Sequence, residues 1–340
     1  MTEPDPAPTI PSPGAERLLR ALVHETGQAG HQGRRRALSA ARKAWLTRAD
    51  PAVEHPICGT TLRLPLSHQL PVHQAAHPDY SLNLGRIAAA ATAGRPDATI
   101  IDIGANVGDS VAIMRPGTTA PILCIEGDAS FLPYLEVNAH RFADIEIAPT
   151  YVRTADAGDG AMAVVRDGGT ARLEQVGDVG TAGPGPHLEV TPLADILAAH
   201  PRFMSPRLIK VDTDGQDAGI LADADDVLAS AHPVLFFEFD PAMTRAASGG
   251  DALTTFTQLA DLGYRRALFF TNLGDLVIGL DRDSWREIPT LADYPSAGDP
   301  VAYFDVCAFG PDDGDLAAEV EATELARRRR RRTGQDVAAR

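Results

Sequence analysis

IIDIGANVGDS, residues 100–110, starts as an apolar run interrupted by Asp102, then passes through Gly104-Ala105-Asn106-Val107-Gly108 into a helix-compatible stretch. A short apolar run closed by glycine is the pattern of a strand buried on both faces. The pattern recurs. ATIIDIG (98–104), PILCIEG (121–127) and DIEIAPTYV (144–152) read as three strands, with helical segments at 108–116 and 129–141 between them. RLIKVD (207–212) and PVLFFEF (233–239) read as two more, around a helix over 216–230. Such alternation predicts βαβ units and a doubly wound parallel α/β sheet. AMAVVRDGGTARLEQV (161–176) interrupts it as a β-hairpin insertion, and GTAGPGP (180–186) reads as loop. A helix at 251–262, the pair ALFFTN and LGDLVIGL, and VAYFDVCAF (301–309) complete the domain.

In a doubly wound sheet, ligands sit beyond the carboxyl ends of the strands. The loop after the first strand is G-x-x-x-G, without the triple glycine of a dinucleotide site. Asp102 would set a negative charge near the ligand, which opposes a pyrophosphate and suits a cation. Glu126 ends the second strand, twenty-two residues after Gly104. A carboxylate there can accept both hydroxyls of a ribose. A nucleoside pocket without a phosphate cradle, receptive to positive charge, points to S-adenosylmethionine.

With those residues in view, the stretch from about 58 to 310 resembles the FkbM family of S-adenosylmethionine-dependent O-methyltransferases. The resemblance lies in IIDIGANVGDS (100–110), ILCIEGDASFLPYLEVNA (122–139), VRTADAGDG (152–160), VTPLADIL (190–197), LIKVDTDGQDAGIL (208–221) and PVLFFEFDP (233–241). Gly127 replaces the proline usual after the acid, Asp214 and Asp217 replace glutamates, and Ala194 replaces an aspartate. The resemblance implies a Rossmann-like, seven-stranded methyltransferase sheet closed by an antiparallel edge. It also implies a cofactor site at Asp102, Gly104, Ala105, Asn106, Gly108, Glu126, Gly127 and Ala155. Tyr80 and Asn83, in YSLNLGR, are candidates for the methionine end.

An acceptor hydroxyl is a poor nucleophile and needs a base, or a metal that lowers its pKa. Asp212 and Asp214 follow the fourth strand and Glu238 closes the fifth, so these acids should converge as catalytic residues. The alternatives are that Asp212 or Asp214 caps the next helix, or that the acids chelate Mg²⁺. No dedicated metal-ligand pattern is present. His68, His73 and His77 are reserve candidates for the base.

The remaining sequence bounds the problem. Of 340 residues, 31 are Lys or Arg and 46 are Asp or Glu, a net charge of −15 that argues against a nucleic-acid partner. Cys58, Cys124 and Cys307 form no C-x-x-C pair, which fits a reducing compartment. MTEPDPAPTIPSPGAE lacks the basic start and apolar core of a secretory signal, so a cytoplasmic location is expected. No apolar run reaches the roughly 18 residues of a membrane span. The expected organisation is a disordered tail (1–14), a helical extension or lid (15–94), the methyltransferase domain (95–310) and a polar, Arg-rich tail (311–340), helical over 312–326 and with no apolar face to bury. The expected activity is O-methyl transfer to a sugar, glycan or secondary metabolite, with an oligomer open. The competing readings are a non-catalytic cofactor-binding module and an NAD-linked oxidoreductase.

Overall fold

The computed structural model describes residues 10–28, 30–154, 162–167, 170–175, 189–294 and 301–332. Helices α1 (Pro13–Thr26) and α2 (Gln32–Leu46) precede a hairpin of β1 (Ala52–Ile57) and β2 (Thr60–Pro65), then α3 (Leu70–Ala76) and α4 (Leu82–Thr92). Next come β3 (Ile100–Ile103), α5 (Asp109–Met114), β4 (Ile122–Ile125), α6 (Leu132–Ala139) and β5 (Ile145–Ala148). β6 (Tyr151–Val152), the antiparallel pair β7 (Met162–Asp167) and β8 (Thr170–Gln175), β9 (Val190–Thr191) and α7 (Leu193–Ala199) follow. The chain continues through β10 (Leu208–Val211), α8 (Asp217–Ala222), α9 (Asp225–Ala231), β11 (Val234–Phe239), α10 (Pro241–Ser248) and α11 (Thr254–Asp261). It ends with β12 (Arg266–Thr271), β13 (Leu276–Asp281), α12 (Ile288–Ala292), β14 (Phe304–Phe309) and α13 (Gly314–Arg332).

The central sheet has the order β13-β12-β14-β11-β10-β3-β4-β5. Its β5-to-β11 half is parallel, and β14 enters antiparallel beside β11. This is the doubly wound Rossmann-like sheet with an antiparallel edge, but it has eight strands where seven were expected. The extra strand is β13, added antiparallel to β12 at the edge.

Alternate residues of each inner strand feed two cores. Ile100, Ile122 and Leu208 pack on one face with α1, α4 and α5 residues such as Leu19, Ile87 and Val111. Ile101, Leu123 and Ile209 pack on the other with Leu197, Leu228 and Phe256. With both faces buried, the strands read as unbroken apolar runs rather than as alternating ones. The N-terminal segment shares the first of these cores, since Leu19, Val53 and Leu62 lie in it with Ile100.

Several boundaries moved. Pro149 breaks 144–152 into β5 and β6, because proline cannot donate to the ladder, and β6 pairs with β9 outside the central sheet. The helix read over 216–230 is two helices, with Asp225 and Asp226 in the first turn of α9, where the helix dipole favours negative charge. β1, α3 and α10 were not foreseen. For α10 the signal was Asp240-Pro241: the Asp240 side chain accepts from the Ala242 and Met243 amides, at 3.0 and 2.9 Å, ahead of a proline at the first turn.

The polar helix read over 312–326 is present as α13, and it docks on the domain where a tail with nothing to bury was expected. α13 buries Ala317 and Val320 in the first core. Asp313, just ahead of it, receives both Arg207 Nη groups at 2.5 and 2.8 Å, and Glu324 receives Arg86 at 2.5 and 2.8 Å. Leu316, Ala317 and Val320, all within little more than one turn, are too few to mark a stripe in the sequence, and the ion pairs leave no periodic signal. The 168–169 turn, the 180–186 loop and residues 1–9 and 333–340 lie outside the described residues. No described helix is long and apolar enough to cross a membrane.

Candidate active site

The chain leaves β3 in one direction and returns beside it at β10, so the crevice lies beyond these two strands. A cavity of about 520 Å³ opens there, lined by the loops after β3, β4 and β10, by Phe236 and Glu238 of β11, and by residues within 68–84. That volume lies within the range of small-ligand pockets.

At one end stands Glu126. Its Oε2 accepts the Asn106 amide at 2.8 Å and its Oε1 the Asp128 amide at 2.7 Å. A carboxylate has about four acceptor positions, so roughly two stay available for a ligand diol. Burial pushes Glu126 up to about 7 despite the two amides. Ile125, Phe131, Tyr151 and Val152 supply apolar walls beside it. Gly127 is required by packing: a Cβ there would lie 2.3 Å from the Tyr151 ring and 2.6 Å from its backbone nitrogen. The proline usual at this position in the resembled family cannot fit against Tyr151.

Gly104 has φ +75°, and a Cβ on it would fall 2.0 Å from the Asp212 carbonyl oxygen. The glycine therefore lets the β3 and β10 exits meet. Gly104 and Asn106 line the cavity. Ala105 and Gly108 do not: Ala105 is buried, and Gly108 donates its amide to the Ala105 carbonyl at 2.8 Å.

Asp102 also departs from expectation. It is fully buried behind the loop, where it accepts from Ser110 Oγ and pairs with Lys210 Nζ at 3.1 Å, its register partner on β10. Lys210 also donates to the Gly104 carbonyl at 2.8 Å and pairs with Asp212 at 3.4 Å. Burial alone would lower the Lys210 pKa, but Asp102 and Asp212 outweigh it, so the ammonium is held. Asp102 thus serves the loop and makes no cavity wall, because the lysine inside LIKV consumes its charge. A lysine in the middle of a buried strand was the available signal.

The opposite end of the cavity is acidic. Asp212, Asp214, Glu238 and Asp305 line it. Asp305 was missed: β14 runs antiparallel to β11 and sets it directly opposite Glu238. A lone acid in VAYFDVCAF was its sequence signal. Burial, then Asp212, raises Asp305 to about 8. Burial, then Asp212, Asp217 and Asp214, raises Glu238 well above the carboxylate range. Asp217 points elsewhere and accepts the Thr213 and Glu238 amides at 3.1 and 3.2 Å. Neither Asp212 nor Asp214 caps α8, which starts after Gln216 without a side-chain cap.

Tyr80 lines the cavity and shares a hydrogen bond with Tyr303. Asn83 lies fully buried outside the lining, with Nδ2 3.5 Å from Asp305 Oδ2. His68 and His73 line the cavity and His77 does not. His68 Nδ1 accepts the Leu70 amide at 3.3 Å, and burial lowers its pKa. Ala155 lies outside the described residues. Among the described residues, no group of three or more His, Cys, Asp or Glu side chains is arranged to hold a metal ion.

No protein-family model matches the chain, and no curated protein matches it. Solved structures do. The chain is similar to the methyltransferase FkbM of Methylobacillus flagellatus KT, at 20% identity and a TM-score of 0.36, over 55% of this chain and 46% of that one. It thus spans a little under half of that protein. It is also similar to the N-methyltransferase NodS of Bradyrhizobium japonicum WM9, at 10% identity and a TM-score of 0.36, over 68% and 96% of the two chains. A third is the magnesium protoporphyrin IX methyltransferase of Synechocystis PCC 6803 with bound S-adenosylmethionine, at 10% identity and a TM-score of 0.36, over 71% and 83%.

Proposed function

We propose that the protein is an S-adenosylmethionine-dependent O-methyltransferase acting on a hydroxyl of a sugar, glycan or secondary metabolite. The observation that carries the reading is the cavity at the β3/β10 crevice, with the buried Glu126 carboxyl at one end and the carboxyls of Asp212, Asp214, Glu238 and Asp305 at the other. A ribose fits Glu126, whose remaining acceptor positions match two hydroxyls. A cationic centre fits the acidic half. When bound, the cofactor supplies a methyl group on a sulfonium.

The chain's own residues supply the rest. Asn106 and Gly104 shape the floor. Glu238 and Asp305, facing each other across β11 and β14, take up the proton of the acceptor hydroxyl as its oxygen is alkylated. Burial, with Asp212 next, raises Asp305 to about 8, close to a working pH. A general base with a pKa near the operating pH works best.

Calorimetry with S-adenosylhomocysteine tests the binding reading, and tritiated methyl transfer to a panel of hydroxyl acceptors tests catalysis. Binding without transfer to any acceptor would favour the non-catalytic module. No binding, with nicotinamide turnover, would replace the reading by an oxidoreductase. EDTA is expected to leave transfer intact, and Glu238→Gln or Asp305→Asn to cut kcat by about 10²–10⁴. Loss of transfer on EDTA and recovery on Mg²⁺ would move the acids to a metal role.

A further inference from the structure

The arginine run 327–332 forms the last turns of α13. Arg327 Nη2 lies 3.0 Å from Asp79 Oδ1, and Arg331 takes the other Asp79 oxygen. Arg331 Nη1 also lies 2.6 Å from Asp275 Oδ1, and Arg328 donates to the Leu276 carbonyl at 3.0 Å. Asp79 is largely buried, at 10% side-chain exposure, while the two arginines stay about one-third exposed.

Both aspartates belong to cavity-rim segments. Asp79 opens the turn that carries Tyr80 and Ser81, two lining residues. Ser81 sits at φ +60°, a left-handed conformation that is strained for a non-glycine residue. Asp275 closes the β12–β13 turn that carries Asn272, a third lining residue, whose amide donates to the Tyr303 carbonyl at 3.2 Å. The two segments touch: a Cβ on Gly274 would lie 2.8 Å from the Asp79 carbonyl oxygen. The rim they form borders the acidic end, since Tyr80 feels Asp212, Asp305 and Glu238. An acidic rim on an acidic protein repels itself, and these arginines are the cations set against it.

We propose that Arg327 and Arg331 are positioning residues that staple the Tyr80–Ser81 turn to the Asn272 turn and so hold the rim of the cavity in its binding shape. The strap itself stands on the ion pairs; only its effect on the cofactor rests on the function proposed above.

The test compares wild type with the Arg327→Ala/Arg331→Ala double variant and its Lys/Lys counterpart. In the free protein, amide exchange at 79–84 and 271–276 is expected to quicken at least about fivefold in the alanine variant, with β3 and β4 unchanged. S-adenosylhomocysteine should bind it about three- to tenfold more weakly, with most affinity restored by lysine. Raising salt from about 50 mM to about 1 M should bring the wild type toward the alanine variant, because partly exposed pairs are screened. Unchanged exchange at both segments overturns the strap. A loosened rim with undiminished affinity overturns the positioning role. If wild type binds no S-adenosylhomocysteine, the cofactor reading fails and the exchange result alone decides the strap.

Discussion

Glu126, at the end of β4, accepts two backbone amides, and the function proposed above asks it to meet a ribose as well. Glu126→Ala is expected to weaken S-adenosylhomocysteine binding by about 1.5–3 kcal/mol, because a charged acceptor loses its hydroxyl partners. Unchanged affinity by calorimetry would remove it from the ribose site. Since burial raises it to about 7, the carboxylate forms as pH rises through that value. Affinity should therefore climb between about pH 6 and 8, and Glu126→Gln should flatten the climb. Lys210 is the structural counterpart. Lys210→Met leaves Asp102 buried without its cation, and denaturant titration should show a loss of about 3–5 kcal/mol. A loss under about 1 kcal/mol would mean that the pair matters little to the fold. Gly104→Val would act on the same backbone: its side chain meets the Asp212 carbonyl, so the damage is to the fold before it is to any ligand.

Among the elements, α13 is the one whose role depends most on where it docks. It is anchored by Asp313 to Arg207, by Glu321 to Arg266, and by Glu324 to Arg86. Ala317 and Val320 complete the core beneath it. Deleting 314–340 uncovers that core and strands Arg86, so the melting temperature should fall by more than about 5 °C in a scanning measurement. A smaller shift would return the helix to the status of a tail. At the other end of the chain, α2 serves the cavity through one residue. Arg42 is buried and donates to the carbonyls of Leu66, Ser67 and His68 at 2.8, 2.7 and 3.0 Å, holding the segment that puts His68 and Gln69 on the cavity wall.

At the scale of the molecule, carboxyls in and beside the cavity store electrostatic cost that pH can read. Asp217, Glu126 and Asp305 are raised to about 6, 7 and 8, chiefly by burial. A carboxyl whose folded pKa exceeds its unfolded value holds its proton longer in the native state. Stability is then lost as pH rises from the unfolded value to the folded one. His55, His68 and His73 are lowered by burial and push the other way, but only below about 6.5, the unfolded histidine value. Between about pH 6.5 and 8.5 the melting temperature should therefore fall, and Asp305→Asn should reduce the slope. An unchanged slope in that variant would show that Asp305 titrates normally.

Apolar runs 100–103, 122–125, 208–211 and 234–239 were legible because strands buried on both faces need no partner information to be apolar. Glu126 was legible because the end of the second strand is a fixed place in such a sheet. Tertiary structure decided what pairing and docking decide. Asp102 faces Lys210, and Glu238 faces Asp305, only because β10 lies beside β3 and β14 lies beside β11 in one register. The charged partners of α13 come from residues 86, 207 and 266, far off in the chain, so no local pattern records them. Hydrophobic periodicity is a local property and survives in the sequence, whereas the partner of a buried charge is chosen by the fold.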